Sequence, residues 1–219
     1  MVPFLIAKKH IYLGSLFIAN LVSLQFGNID YVKQGMNFFR SGDISASLIS
    51  FDAAILKEPK MKYYSWQRGI SLYFLDRYQD CSEQFKTDVS RNPQDTEEVI
   101  WNAACLAKGD RSHYASTHIL ELPNADPRPI MKEIYNLFKG KIRPEDLISW
   151  TNDHNLNPSD YFYSRLYLSL YYDSIANDAK QSEYYINEAL QSNYALYSND
   201  YMISVGQEQL RALTRKHDQ

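Results

Sequence analysis

The sequence of 219 residues is long enough to bury the core of one domain and too long to be a miniprotein held together by disulfide bridges. Hydrophobic residues make up 45% and charged residues 22%, a composition that predicts a folded chain and excludes an intrinsically disordered one. The formal net charge of -3, from 23 basic and 26 acidic residues, gives no general attraction for nucleic acid, so we expect no nucleic-acid partner.

The N-terminal segment, residues 1–27, is apolar. No residue from Ile11 to Ile29 is charged, and two lysines and a histidine come directly before this stretch. This order is typical of a secretory signal or a membrane anchor. Because polar residues interrupt the stretch, a helix that docks on the rest of the chain is the alternative. Membrane association through residues 11–29 therefore stays open, and so does the choice between a secretory or membrane-targeted and a cytoplasmic protein.

Five positions recur after 34 residues in the next part of the chain. Gly35, Ser47, Phe51, Ala54 and Pro59 are followed by Gly69, Cys81, Phe85, Asp88 and Pro93, and only Asp88 departs from the chemical type of its counterpart. The period and the pattern resemble the tetratricopeptide repeat (TPR), in which each unit is a pair of helices. The resemblance implies an all-α fold, a right-handed solenoid of three to four units, with clear units at 28–61 and 62–95.

The repeated residues have physical roles in such a unit. Gly35 and Gly69 lie in the first helix, where the missing side chain lets the second helix come close, at a cost of about 1 kcal/mol relative to alanine. The two phenylalanines are expected to fill the seam to the next unit. The two prolines are expected to end the second helices, because proline lacks the backbone donor and disfavours helix in the residue before it.

A degenerate third unit is expected at about 96–129. It opens with a capping box in which Asp95 accepts from a backbone amide and Glu98 reaches back. Since carboxylates suit the first turn of a helix, no catalytic role is expected for them. The stretch from Asn92 to Trp101 is also similar to a little-characterised group of TPR proteins that is distantly similar to bacterial TPR lipoproteins.

The repeat pattern fades in the remainder of the chain, which still belongs to one helical domain at 28–219. The expected elements are a short helix from Ser112 to Leu120, helices at Ile130–Phe138 and Pro144–Asn152, a TPR-like pair at about 159–192 with helices Ser159–Ile175 and Asp178–Gln191, and a C-terminal capping helix from Asn199 to Leu213. The charged tail after it is expected to fray.

No catalytic or metal-binding pattern stands out in the sequence. It has no phosphate-binding glycine loop, nucleophile elbow, HExxH or paired CxxC motif. His113 and His118 are five residues apart, whereas helical metal ligands are three or four apart. Cys81 and Cys105 are expected to be small buried side chains. We therefore expect no cofactor, no metal site and no enzymatic activity.

The resemblance implies a partner-binding groove on the concave face, along the first helices of the units. Its lining would be apolar and aromatic: Val32, Met36, Phe39 and Arg40 from the first unit, and Trp66, Ile70, Tyr73 and Phe74 from the second. The carboxylate-clamp type of TPR, which binds chaperone C termini, requires Lys and Asn at four of these positions and is not expected. An apolar groove needs a cover, which would be the segment Ile11–Phe26, a second copy of the chain in a homodimer, or a helix of a partner.

The expected function is a scaffold or adaptor that binds a peptide or helix of a protein partner. This hypothesis requires an open groove with exposed Trp66 and Tyr73. A membrane-tethered or organellar assembly factor is the alternative and requires residues 11–29 to insert into a membrane. An enzyme on a helical-repeat scaffold is a remote alternative, which would need a polar cleft with perturbed titratable groups.

Overall fold

The computed structural model describes residues 30–109, 119–122, 126–154 and 157–217. Within these ranges the chain forms helices and no strand, which confirms the all-α fold class predicted from the sequence. The helices are α1 (Tyr31–Ser41), α2 (Ile44–Lys57), a 3-10 helix η1 (Pro59–Tyr64), α3 (Trp66–Phe74), α4 (Tyr78–Val89), α5 (Thr96–Gly109), α6 (Pro129–Phe138), α7 (Pro144–Asp153), α8 (Pro158–Ser174), α9 (Ala179–Leu190), α10 (Asn193–Tyr197) and α11 (Tyr201–His217).

Two predictions lie outside the described residues. They are the apolar segment at 11–29 and most of the helix expected from Ser112 to Leu120, which includes His113 and His118. Among the helices of the described ranges, none is long and apolar enough to cross a membrane.

The turn between α1 and α2 is determined by two residues. Gly42 has a φ of 85°, a left-handed conformation that glycine adopts at little cost, and its N–H donates to the carbonyl of Phe39. Asp43 follows as the N-cap of α2, and its carboxylate accepts from the N–H of Ala46 at 3.0 Å. The chain therefore reverses within two residues, and α2 packs back along α1.

Each of the first two hairpins brings a glycine against a phenylalanine ring. A Cβ atom on Gly35 would lie 2.9 Å from Cε1 of Phe51, and one on Gly69 would lie 2.7 Å from Cε2 of Phe85. The close helix approach expected at both glycines is thus present. Both rings pack inside their own hairpin, and Phe85 also stacks on Trp101 of α5 with ring centroids 6.2 Å apart.

The two repeated prolines relate differently to the helix ends. Helix α2 ends at Lys57, just before Pro59, which opens the 3-10 helix η1. Helix α4 ends at Val89, well before Pro93, so Pro93 is not the residue that stops it. The backbone after α4 instead turns on the carbonyl of Asp88, which accepts from the N–H groups of Arg91 and Asn92.

Helices α4 and α5 are joined covalently. Cys81 and Cys105 form a disulfide with their Cα atoms 5.9 Å apart. Both side chains are buried, as expected from the sequence, but the sequence did not predict the bridge between them. The two residues pair because α4 and α5 pack side by side with these positions facing each other.

The second half of the chain lies on the first helices of the hairpins. Helices α8 and α9 form a pair in which the hydroxyls of Ser169 and Ser182 are 3.0 Å apart. Helix α8 packs on α5 and α6, and α11 packs on α9, α1 and α3. A Cβ on Gly206 of α11 would lie 3.2 Å from Cδ1 of Ile186, so this glycine lets α11 approach α9 closely.

The C-terminal helix is longer than predicted. The sequence predicts a cap at 199–213 and a frayed tail, whereas α11 continues to His217. Arg211 and Arg215 each reach the fully buried Glu208 carboxylate at 2.7 Å. These ion pairs stabilise the last turns, because an unpaired carboxylate at that depth would be costly.

Candidate functional site

The groove predicted along α1 and α3 is occupied by the chain itself. Phe39 and Ile70 are fully buried, Val32, Met36, Trp66 and Phe74 are partly buried, and Arg40 is exposed. Tyr73 is only 3% exposed, so the expectation of an exposed Tyr73 in an open groove is wrong. The physical reason is that α11 packs on α1 and α3, the helices that would line the groove, and that Asp173 of α8 binds the Tyr73 hydroxyl.

Tyr201 of α11 is the main cover over the first two units. Its ring centroid lies 5.2 Å from that of Phe39 and 5.4 Å from that of Trp66. The guanidinium carbon of Arg40 lies 5.3 Å from the centre of the same ring, within range of a cation–π contact. This part of the groove is therefore covered by α11, which is none of the three covers expected from the sequence.

Helix α8 is fixed to the hairpins by buried polar contacts. The Tyr73 hydroxyl donates to Asp173 at 2.7 Å, and the Lys108 ammonium lies 3.1 Å from the other carboxylate oxygen. The Tyr167 hydroxyl donates to Glu97 at 2.7 Å. Burial, followed by the charge of the carboxylate, raises the pKa of both tyrosines well above the ordinary value, so both hydroxyls stay protonated as donors.

A pocket remains where α3, α4, α5, α8 and the start of α11 meet. It encloses about 230 Å³. Ten residues line it, and we call it the acidic pocket: Trp66, Phe85, Asp95, Glu97, Glu98, Trp101, Tyr163, Asp200, Tyr201 and Met202. Four of these carry carboxylates, five carry aromatic rings, and none is Lys, Arg or His. The volume is several times the roughly 30 Å³ that one water molecule occupies in the liquid, so a small organic group can enter.

Three of the four carboxylates already have partners within the protein. Asp95 caps α5 by accepting from the N–H groups of Glu97 at 3.0 Å and Glu98 at 3.4 Å. Glu97 binds Arg128 at 2.6 Å in addition to Tyr167. Asp200, before α11, accepts from the hydroxyls of two tyrosines, Tyr163 at 2.8 Å and Tyr194 at 2.7 Å.

Glu98 is the exception among the four. Its side chain is 8% exposed, and its Oε2 atom is buried without a hydrogen-bond partner among the described residues. Burial, together with the charges of Asp95, Asp88 and Glu97, raises the pKa of Glu98 to about 8. The pocket therefore contains a carboxyl group that changes its charge near neutral pH.

Asp88 lies close enough to Glu98 for its charge to contribute to the raised pKa of Glu98. It is completely buried; one carboxylate oxygen accepts from Nε2 of Gln84 at 2.9 Å, and the other has no partner among the described residues. Burial outweighs the hydrogen bond from Gln84 and the attraction of Arg68, and it raises the pKa of Asp88 to about 7. The resemblance to the TPR predicts a small residue at this position, whereas the structure has a second buried carboxyl there.

Two further polar groups of the pocket wall lack partners among the described residues. They are the indole N–H of Trp101 and the hydroxyl of Tyr201, whose residues are 3% and 6% exposed. Buried polar groups normally have a hydrogen-bond partner, in the protein or in bound water. Together with Glu98, these two groups leave three polar atoms of the pocket wall unsatisfied within the described part of the chain, where an entering molecule can reach them.

The sequence did not single out this pocket. It assigned Asp95 and Glu98 to a capping box, and only the half that Asp95 contributes is present. The Glu98 side chain forms no hydrogen bond back to the N terminus of α5 and belongs to the pocket wall instead. No family model matches the chain, and no curated protein is similar to it in sequence.

Proposed function

We propose that the chain is a protein-binding scaffold of the TPR type and that its binding site is the acidic pocket. The partner is a peptide or helix of another protein that places a side chain between α3, α5, α8 and α11. This site differs from the groove expected from the sequence, because α11 already packs on α1 and α3, the helices that would offer that groove.

Repeated contacts support the TPR assignment. The close approach of glycine and phenylalanine recurs in both hairpins with the same separation in sequence. A hydrogen bond between the two helices also recurs at that separation: Ser50 to Gln34 at 3.4 Å in the first hairpin, and Arg68 to Gln84 at 3.1 Å in the second. Two hairpins with the same internal geometry, stacked in sequence order, are the pattern of a helical-repeat protein.

The observation that carries the binding function is the unpaired Glu98 carboxylate in an aromatic pocket. Ligand sites are usually concave and mostly apolar, with a few polar groups that determine orientation. The acidic pocket has rings from α3, α5, α8 and α11 and one carboxylate that is not used in holding the fold. A protein that only needed a stable core would be more stable with an apolar residue there.

Affinity capture followed by mass spectrometry tests this proposal. The full chain, the Glu98→Gln variant and the Glu83→Gln variant serve as baits, because both substitutions remove one carboxylate but Glu83 is exposed and outside the pocket. We expect partners that Glu98→Gln loses and Glu83→Gln keeps. Partners retained equally by both variants would contradict the acidic pocket as the binding site.

The alternative, a membrane-tethered or organellar assembly factor, is favoured by one observation, the disulfide between Cys81 and Cys105. Disulfides persist in oxidising compartments and are rare in the cytosol. Together with the uncharged stretch at 11–29 this suggests an assembly factor outside the cytosol. Carbonate extraction of the tagged chain decides on membrane insertion, since complete release into the soluble fraction would contradict a tether.

The raised pKa of Glu98 also makes an enzyme a candidate, because a general acid needs such a value. Acid–base chemistry on two carboxylates needs a second free group near the first. Asp95, Glu97 and Asp200 are each held by hydrogen bonds inside the protein, and Asp88, whose second oxygen has no partner among the described residues, is completely buried and does not line the pocket. This arrangement favours binding over catalysis.

A further inference from the structure

We infer that the acidic pocket binds an organic cation, an alkylammonium group such as that of a lysine side chain, with Glu98 as its counter-ion. The inference rests on the proposed function, because it concerns the same pocket and names the chemistry that a partner must present there. It follows from the charge of the pocket, its aromatic wall and the Glu98 carboxylate oxygen left without a partner among the described residues.

The charge of the pocket selects a cation. The lining contains four carboxylates and no basic side chain; of the four, Glu97 pairs with Arg128, which it shares with Asp126 outside the pocket. Among the described residues no cation lies against Glu98, so its ionised form has no counter-charge. Burying an unpaired carboxylate is costly, and an incoming cation would remove that cost. An anion would meet repulsion from every charged group of the wall.

The aromatic rings favour an organic cation over a hydrated one. Trp66 and Tyr201 meet edge to face with centroids 5.4 Å apart, and Tyr163 stands on the opposite helix α8. A cation within about 6 Å of an aromatic ring centre is attracted by the ring, most strongly when it has lost its water. An alkylammonium group offers both an apolar stem for the rings and N–H donors for Glu98 and the Tyr201 hydroxyl.

A metal ion fits the arrangement less well. Among the described residues no group of three or more His, Cys, Asp or Glu side chains is placed to hold one. Three of the pocket's carboxylates are directed to protein donors instead, as described for Asp95, Glu97 and Asp200. The volume of about 230 Å³ also exceeds what a bare ion would fill.

Calorimetric titration of the full chain with matched ligands tests the inference. The first pair of probes is Nα-acetyl-lysine amide and Nα-acetyl-norleucine amide, which differ in the side-chain ammonium group. The second pair is n-butylammonium, a free amine, and n-butanol as its uncharged control. At a pH of about 8.5, where the Glu98 carboxyl is mostly ionised, we expect the lysine amide to bind and the norleucine amide not to bind. This comparison needs no variant and is therefore independent of whether a variant folds.

Variants then locate the binding. Glu98→Gln should weaken binding of the lysine amide by about tenfold or more, because a charge-assisted hydrogen bond is lost. Glu83→Gln should leave the affinity unchanged. Equal binding of the lysine and norleucine amides, or full affinity in Glu98→Gln, would overturn the inference. Binding of n-butylammonium without the lysine amide would support the cation site and assign it to free amines.

The two proposals can fail separately. If neither cation binds while protein partners are still lost with Glu98→Gln, the cation chemistry is wrong and the binding function stands. If the cations bind with dependence on Glu98 while captured partners do not depend on it, the cation site stands and the scaffold function of this pocket is wrong.

Discussion

The hydroxyl of Tyr73 in α3 donates to the carboxylate of Asp173 in α8 across a distance of 2.7 Å and a separation of 100 residues. This bond ties the second hairpin to the C-terminal half of the chain. With Lys108 on the other carboxylate oxygen, it turns a face that could have been an open groove into an internal contact.

Removing this hydroxyl should destabilise the protein. In Tyr73→Phe we expect the free energy of unfolding to fall by about 1–3 kcal/mol, because Asp173 loses a buried donor. Urea unfolding followed by circular dichroism measures the change. Tyr184→Phe removes a hydroxyl from a largely exposed tyrosine and serves as the control. Equal stability of wild type and Tyr73→Phe would mean that α8 is not anchored through this bond.

The close approach of Gly69 and Phe85 predicts a large effect from one added methyl group. Gly69→Ala should lower the free energy of unfolding by about 1–3 kcal/mol, because the methyl group has no room beside the ring. Gly109→Ala is the matched control, since its Cβ would meet its nearest neighbour at an ordinary 3.4 Å. In a Phe85→Leu background the penalty of Gly69→Ala should shrink, and an unchanged penalty would contradict the contact.

The buried carboxyls predict a specific pH dependence. The pKa values of about 8 for Glu98 and about 7 for Asp88 exceed the ordinary values, so between about pH 4 and pH 8 the folded state holds protons that the unfolded chain releases. These two groups therefore make the protein less stable as the pH rises through that window.

Amide variants isolate this contribution from the other titrating groups. The double variant Glu98→Gln with Asp88→Asn lacks both titrating groups. As the pH rises from about 5 to about 8.5, we expect its free energy of unfolding to exceed that of the wild type by an increasing amount. Denaturant unfolding across this range measures the gap. A gap that stays constant would show that neither carboxyl has a raised pKa in the folded protein.

The disulfide predicts that the oxidised chain has no free thiol and that reducing the bridge lowers its stability. The chain denatured without reductant should show no free thiol, because Cys81 and Cys105 are paired. With a sequence separation of 24, reduction should lower the free energy of unfolding by about 3 kcal/mol in the loop-entropy treatment. The variant Cys81→Ala with Cys105→Ala should lose the sensitivity to reductant. Two titratable thiols in the oxidised preparation would contradict the bridge.

Local patterns made much of the first half predictable. The Asp95 cap and the glycine-to-phenylalanine spacing are encoded within one turn or one hairpin, so the sequence carries them directly. The helices at Ile130–Phe138 and Pro144–Asn152 likewise end within one residue of their predicted limits, because their apolar spacing and first-turn prolines are local signals.

Contacts between distant parts of the chain were not predictable in this way. Nothing near Tyr201 says that its ring will lie on Phe39 and Trp66, which are more than a hundred residues away. The acidic pocket has the same origin, since Asp200 joins Glu98 only when α11 returns to the first hairpins. Glu98 was the one local sign of the pocket in the sequence. Its place three residues after Asp95 led to a capping box, but in the structure its Oε2 atom has no hydrogen-bond partner among the described residues.

The most direct test of the account uses the three tryptophans of the chain. Trp66 and Trp101 line the acidic pocket, whereas Trp150 in α7 stacks on His154 at 4.2 Å outside it. In nitrogen–proton correlation spectra recorded during titration with Nα-acetyl-lysine amide, we expect the indole signals of Trp66 and Trp101 to shift and that of Trp150 to stay in place. Unmoved signals at Trp66 and Trp101, or a shift at Trp150 alone, would contradict a cation site in this pocket.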